Sequence, residues 1–209
     1  MVQSDAVREL GHTSKSQTIT GVALFAALAL FLNIAHIQIP APYATFLIYD
    51  LWEIPIVICL FIFGLYAALT ASAINAVVLI LVNPGALASG PLYNLIAVVV
   101  SLLAIVLAHN LASQTKLSIR REMTLSTGLA MVVRTGVMTV VNYALLPFPP
   151  PLGFSIPESA VLPLLPLIAF FNATLILYTV PLGYAGVRAA TQRLHFKIAY
   201  PLAPPVMKK

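Results

Sequence analysis

Apolar residues run through this chain in long blocks, near 19–37, 46–82, 86–111, 125–147 and 160–187, separated by short polar or proline-rich stretches. A helix needs about 20 mostly apolar residues to cross a bilayer, and every block can supply them. The second block is too long for one crossing. It divides at Phe63-Gly64-Leu65, where glycine permits a tight turn. The pattern therefore predicts an all-α membrane protein with six transmembrane helices, the second one short. A six-helix domain over 19–187 follows a polar segment, 1–18, and precedes a basic tail, 188–209.

Composition supports lipid as the main solvent. Of 209 residues, 60% are hydrophobic and only 8% charged, against about 25% charged in soluble domains. Folded in water, such a chain would expose apolar surface far beyond what monomers tolerate. The net charge of +5 would suggest a nucleic-acid partner in a soluble protein. Here nearly all basic residues flank the apolar blocks, which makes them topology signals rather than a nucleic-acid surface.

Six crossings put both termini on one side with the 112–124 loop. Arg8, Lys15, Lys116, Arg120, Arg121, Arg188, Arg193, Lys197, Lys208 and Lys209 then share that side, and only Arg134 does not. By the positive-inside rule this side is cytoplasmic. Five crossings would scatter the basic clusters. On the opposite side, 36–45 and 147–158 are rich in proline and aromatics, hence stiff. The first apolar run continues into Asn33, His36 and Gln38 without a small-residue cleavage site, which reads as a retained span rather than a signal peptide.

Polar residues inside the blocks are the functional candidates. Arg134 sits well within the fifth span, where an arginine costs at least about 2.5–3.5 kcal/mol. Two placements are open: facing the bundle interior with acceptors, or snorkelling to the surface. No acid stands at an obviously matching depth, so asparagines, freed carbonyls, water or ligand are the expected acceptors. Met131, Arg134, Met138 and Asn142 share one face of that helix, with Tyr143 beside Asn142. Asn75 and Asn172 lie mid-span, Thr179 shares the face of Asn172, and Asn94 opens the fourth span after Gly90-Pro91. Buried amides need partners. They either join helices or line a polar ligand site, with Trp52, Tyr93 and Tyr143 available for stacking.

Asp50 and Glu53, three apart at the outer start of the second span, have capping-box spacing, although Pro55 removes a donor one turn on. One reading is a helix start anchored by Trp52; the other is a carboxylate facing a solute in an outward cavity. Ala23 and Ala27 put two small side chains on one face of the first helix, where another helix could approach closely. No phosphate loop of the GxxxxGK[ST] kind, no HExxH and no GxSxG occurs. The histidines are scattered, and the lone Cys59 excludes an intrachain disulfide. Neither an enzyme nor a metal site is expected.

Taken in order, Ala23-xxx-Ala27, Asp50-Leu51-Trp52-Glu53-Ile54-Pro55 leading to Phe63-Gly64, Gly90-Pro91-xx-Asn94, and Arg134-xxx-Met138-xxx-Asn142-Tyr143 before Pro147 resemble the substrate-binding S components of energy-coupling factor (ECF) vitamin transporters. The resemblance covers about 19–187, and the last motif is most like the riboflavin-binding branch. It departs from that branch one turn after Asn172, where Leu175 and Ile176 add no polar group. The resemblance implies a plasma-membrane vitamin importer subunit with substrate residues Asp50, Trp52, Asn94, Asn142, Tyr143 and Asn172, and with Arg134 ligand-facing or structural. It also implies a transmembrane coupling subunit meeting Ala23 and Ala27, and two ATPase subunits that use the ATP. The chain itself would hold no cofactor. Thiamine precursors, pantothenate or modified-base precursors are alternative cargoes, and a self-sufficient secondary carrier or a ligand-free assembly subunit are alternative functions.

Overall fold

The computed structural model describes residues 14–35, 37–82, 89–193 and 198–202. His36, the Asn83-Pro84-Gly85 connection, the first 13 residues and half of the basic tail, 194–197 and 203–209, lie outside the described residues. Six helices follow in order: α1 (Lys15–Ile34), α2 (Glu53–Phe63), α3 (Leu65–Val82), α4 (Ser89–Gln114), α5 (Ile119–Leu145) and α6 (Glu158–Arg193). Between α1 and α2 stand two strands, β1 (Ile39–Ala41) and β2 (Ala44–Tyr49).

Among the described residues, five helices are long and apolar enough to cross a membrane. Their outward faces carry large apolar side chains such as Ile19, Phe31, Leu81, Val132 and Leu162, each more than half exposed. Such a surface suits hydrocarbon and not water. The molecule is thus a multi-pass helical membrane protein. The eleven residues of α2 make a rod of only about 16 Å, roughly half the hydrocarbon thickness.

Local chemistry explains where the elements begin and end. Ser14 and Gln17 form a reciprocal capping box at the start of α1, with bonds of 3.2 and 2.9 Å, which satisfies two orphan donors. The break between α2 and α3 falls at Gly64, whose φ of 94° suits glycine. At the start of α2 the structure differs from the capping-box expectation. Trp52 is the cap residue, no side chain caps it, and Glu53 turns inward instead.

The bundle packs α4 along α5 and α5 along α6, while α2 is wedged among α1, α3 and α6. Close approach uses glycine: a Cβ at Gly21 would fall on the Phe63 ring, and one at Gly183 on the Val57 side chain. The buried residues of α5 are Glu122, Ser126, Ala130, Arg134, Met138 and Asn142, an unbroken four-residue spacing. That stripe is the spine of the interior. Its two halves serve different ends of the molecule.

At the α4–α5 turn end, Glu122 accepts from Tyr184 Oη (3.2 Å) and pairs with His109 Nδ1 (2.8 Å), while Ser126 meets Tyr184 Oη at 2.8 Å. The chain returns there after α6. The Ala199 and Tyr200 amides donate to the Ile62 and Phe61 carbonyls at 3.0 Å, satisfying acceptors that the end of α2 leaves orphaned.

The strands were not expected from the sequence. β1 and β2 form an antiparallel hairpin with Ile39 opposite Tyr49 and an irregularity at Pro40/Ala41. It is pinned to α6 by side chains: Tyr43 Oη meets Tyr49 Oη (2.5 Å), which meets Thr174 Oγ1 (2.6 Å). Burial and the Tyr49 hydroxyl push the Tyr43 phenol up to about 12, so that hydroxyl stays protonated at physiological pH.

Candidate functional site

The other half of the α5 stripe opens into a cavity of about 610 Å³ at the hairpin end, within the range of small-molecule sites. Three kinds of wall line it. The hairpin contributes Gln38, Leu47 and Ile48; the start of α4 contributes Gly90, Pro91, Tyr93 and Asn94; the 146–157 loop contributes Phe154 and Ile156. The interior is completed by Asn33, Asp50, Arg134, Met138, Asn142, Ile168, Phe171 and Asn172.

The proline-rich loop is a firm wall because it bonds to itself and to α4. The Phe154 and Ile156 amides donate to the Leu146 carbonyl at 3.2 and 3.1 Å. Ser89 Oγ donates to the Gly153 carbonyl (2.8 Å) and Tyr93 Oη to the Leu152 carbonyl (3.2 Å). A Cβ at Gly153 would strike the Leu145 and Phe148 carbonyls, so only glycine fits this fold of the loop.

Arg134 lies at the floor, 1% exposed. Its two terminal nitrogens grip Glu53 at 2.6 and 2.9 Å, and its Nε donates to Asn172 Oδ1 at 2.9 Å. Ser101 Oγ is a more distant acceptor at 3.5 Å. The bundle-interior placement is the one observed, with an asparagine among the acceptors. The expectation that no acid matches its depth is corrected by Glu53, which is itself buried. Because α2 is short, its first residue stands at the level of mid-α5 rather than at a membrane surface. A charged pair this enclosed holds only with such two-pronged geometry.

Asp50 is nine-tenths buried, and its Oδ1 has no hydrogen-bond partner. Its own carbonyl accepts from Tyr178 Oη at 2.6 Å, which fixes the residue against α6. The asparagines divide their roles. Asn142 Nδ2 donates to the Met138 carbonyl (2.7 Å), Asn172 Nδ2 to the Ile168 carbonyl (2.9 Å), and Asn33 Nδ2 to Asn75 Oδ1 (3.0 Å). Asn75 therefore joins α1 to α3, the helix-binding option.

Of the expected substrate residues, Asp50, Asn94, Asn142 and Asn172 line the one cavity, and so does Arg134. Trp52 and Tyr143 do not line it. Trp52, 2% exposed, is packed into the hydrophobic core with Ile56 and Leu60. Tyr143 follows Asn142 by about 100° of helix rotation and is 58% exposed, beside a separate surface cleft with Phe148 and Glu158. The aromatic walls are Tyr93, Phe154 and Phe171. The two phenylalanines were missed because an apolar ring in an apolar segment carries no local signal. Ala23 and Ala27 lie exposed on the outer face of α1, while Ala26 and Ala29 face the bundle.

Fold and site together define a helical membrane bundle with an open, partly polar cavity near one end. Among solved structures the chain is similar to the S component of a bacterial ECF transporter. The TM-score is 0.70 at 18% sequence identity, over 86% of this chain and 98% of that one. At that identity the likeness is one of fold. No protein-family model and no curated protein matches the sequence.

Proposed function

We propose that this chain is the substrate-capture subunit of an ATP-driven ECF-type importer in the plasma membrane, and that its cargo is a vitamin, riboflavin first among the candidates. The observation that carries the reading is the cavity: amides, a carboxylate and aromatic rings converge at one end of a bundle that shares the S-component fold. A flavin ring has flat apolar faces and carbonyl and imide edges, and its side chain carries hydroxyls. Tyr93, Phe154 and Phe171 suit the faces; Asn94, Asn142 and Asn172 suit the edges. The chain would cross six times, the second crossing completed by the segment that leads from the hairpin into the short α2, with both termini cytoplasmic and the hairpin end outside.

The energising parts lie in partners. A transmembrane coupling subunit would pack on the exposed Ala23–Ala27 face, and two ATPase subunits would supply the work. The test is ligand binding by the purified full chain, read as thermal stabilisation across a vitamin panel. Riboflavin should stabilise it, and Asn142→Ala should weaken binding by about 1–3 kcal/mol. Stabilisation by a thiamine precursor or modified-base precursor instead would keep the subunit role and change the cargo. Uptake by the chain alone into ATP-free liposomes under an ion gradient would overturn the proposal in favour of a secondary carrier. Ala23→Leu should abolish co-purification with an ATPase while leaving ligand binding intact.

A further inference from the structure

From the charge and hydrogen-bond balance of the cavity we infer that it is built for a cargo with no net negative charge that offers an N–H donor to Asp50, so that phosphorylated or carboxylate-bearing compounds are rejected. The inference rests on the reading of this cavity as the cargo site.

Among the described residues Arg134 is the one cation lining the cavity, and it is already committed. A guanidinium has five N–H groups. Four hydrogen bonds to Glu53, Asn172 and Ser101 occupy Arg134, and Glu53 neutralises its charge. An incoming phosphate or carboxylate would have to take Arg134 from Glu53 and leave that acid buried and alone, which is the costly outcome for such pairs. With Asp50 and Glu53 against one guanidinium, the floor has no spare positive charge whichever protonation state Asp50 holds.

The second observation is independent of the pair. Asp50 Oδ1 is buried without a donor, and a stranded acceptor of this kind is destabilising until something donates to it. The asparagines do not offset this. Asn33, Asn142 and Asn172 each give an N–H to the bundle itself, and the amides of Gln38 and Asn94, which also line the cavity, carry as many donors as acceptors, so the amides together show no surplus of donors. Asp50 tips the wall toward acceptance. A ring N–H, an imide or an amino group answers it; an anion brings only further acceptors to an oxygen that lacks a donor.

The experiment compares matched pairs on the full-length chain in detergent by calorimetric titration: riboflavin with its 5′-phosphate, thiamine with its monophosphate, and pantothenate as a carboxylate. The non-phosphorylated member of a binding pair should be preferred by about tenfold or more, and pantothenate should not bind. Asp50→Asn keeps the shape and replaces one carboxyl oxygen by an N–H donor, so it should narrow the preference. Should a phosphate ester bind as tightly as its parent, or should pantothenate bind, this inference falls while the importer reading stands; the wild-type protein alone decides that outcome. A folded Asp50→Asn protein with the wild-type preference also overturns it. If neither these compounds nor a modified-base precursor binds, the cargo-site reading fails and this one goes with it.

Discussion

Replacing Glu53 by leucine would remove the counter-charge of a guanidinium that is 1% exposed. Arg134 would retain Asn172 at 2.9 Å and Ser101 at 3.5 Å, two neutral acceptors for a full charge. Removing one member of a buried pair typically costs about 3–5 kcal/mol, because the survivor stays desolvated and unpaired. Arg134→Met should cost a similar amount by stranding the carboxylate. The double variant Glu53→Leu/Arg134→Met leaves no buried charge, so it should be more stable than either single variant. Trp52, the one tryptophan in the chain, lies buried next to this pair and reports chemical unfolding in mixed micelles by its fluorescence. The double-mutant cycle then gives the coupling directly. Additive losses, or single-variant losses under about 1 kcal/mol, would refute the claim that this pair holds α2 against α5 and α6.

Three further outcomes follow from the packing. Gly153→Ala should displace the proline-rich loop, since its Cβ meets the Leu145 and Phe148 carbonyls; accelerated protease cleavage within 147–157 would show it, and unchanged cleavage would count against the loop as a firm wall. Asn75→Ala should cost about 0.6–1.7 kcal/mol, the range for interhelical polar contacts in membranes, by removing the acceptor of Asn33 Nδ2; a thermal unfolding midpoint equal to wild type would contradict it. Glu122→Ala strips partners from His109 and Tyr184 and should cost about 1–3 kcal/mol. It should leave cargo affinity unchanged, since it lies at the far end of the α5 stripe; a large affinity loss would mean the two ends are coupled.

Hydropathy, with the glycine at Gly64 to divide the longest run, predicted the helical membrane class, that break and the ends of the long helices to within six residues, because the solvent a segment needs is a sum over its own side chains. The same local reasoning picked Asp50, Asn94, Asn142 and Asn172, since a polar group in an apolar segment stands out wherever its partner is. Which polar groups meet was another matter. Glu53 and Arg134 lie 81 residues apart, and their common depth depends on how short α2 is and how far the hairpin carries the chain inward. Trp52 and Tyr143 lie off that cavity, and the sequence does not show this, because rotation about a helix axis, which separates Tyr143 from Asn142, is settled by which neighbours pack against it. The hairpin, the Phe154 and Phe171 walls and the unpartnered Asp50 oxygen belong to the assembled bundle, where each contact draws on segments far apart in the chain and no window of residues contains both halves.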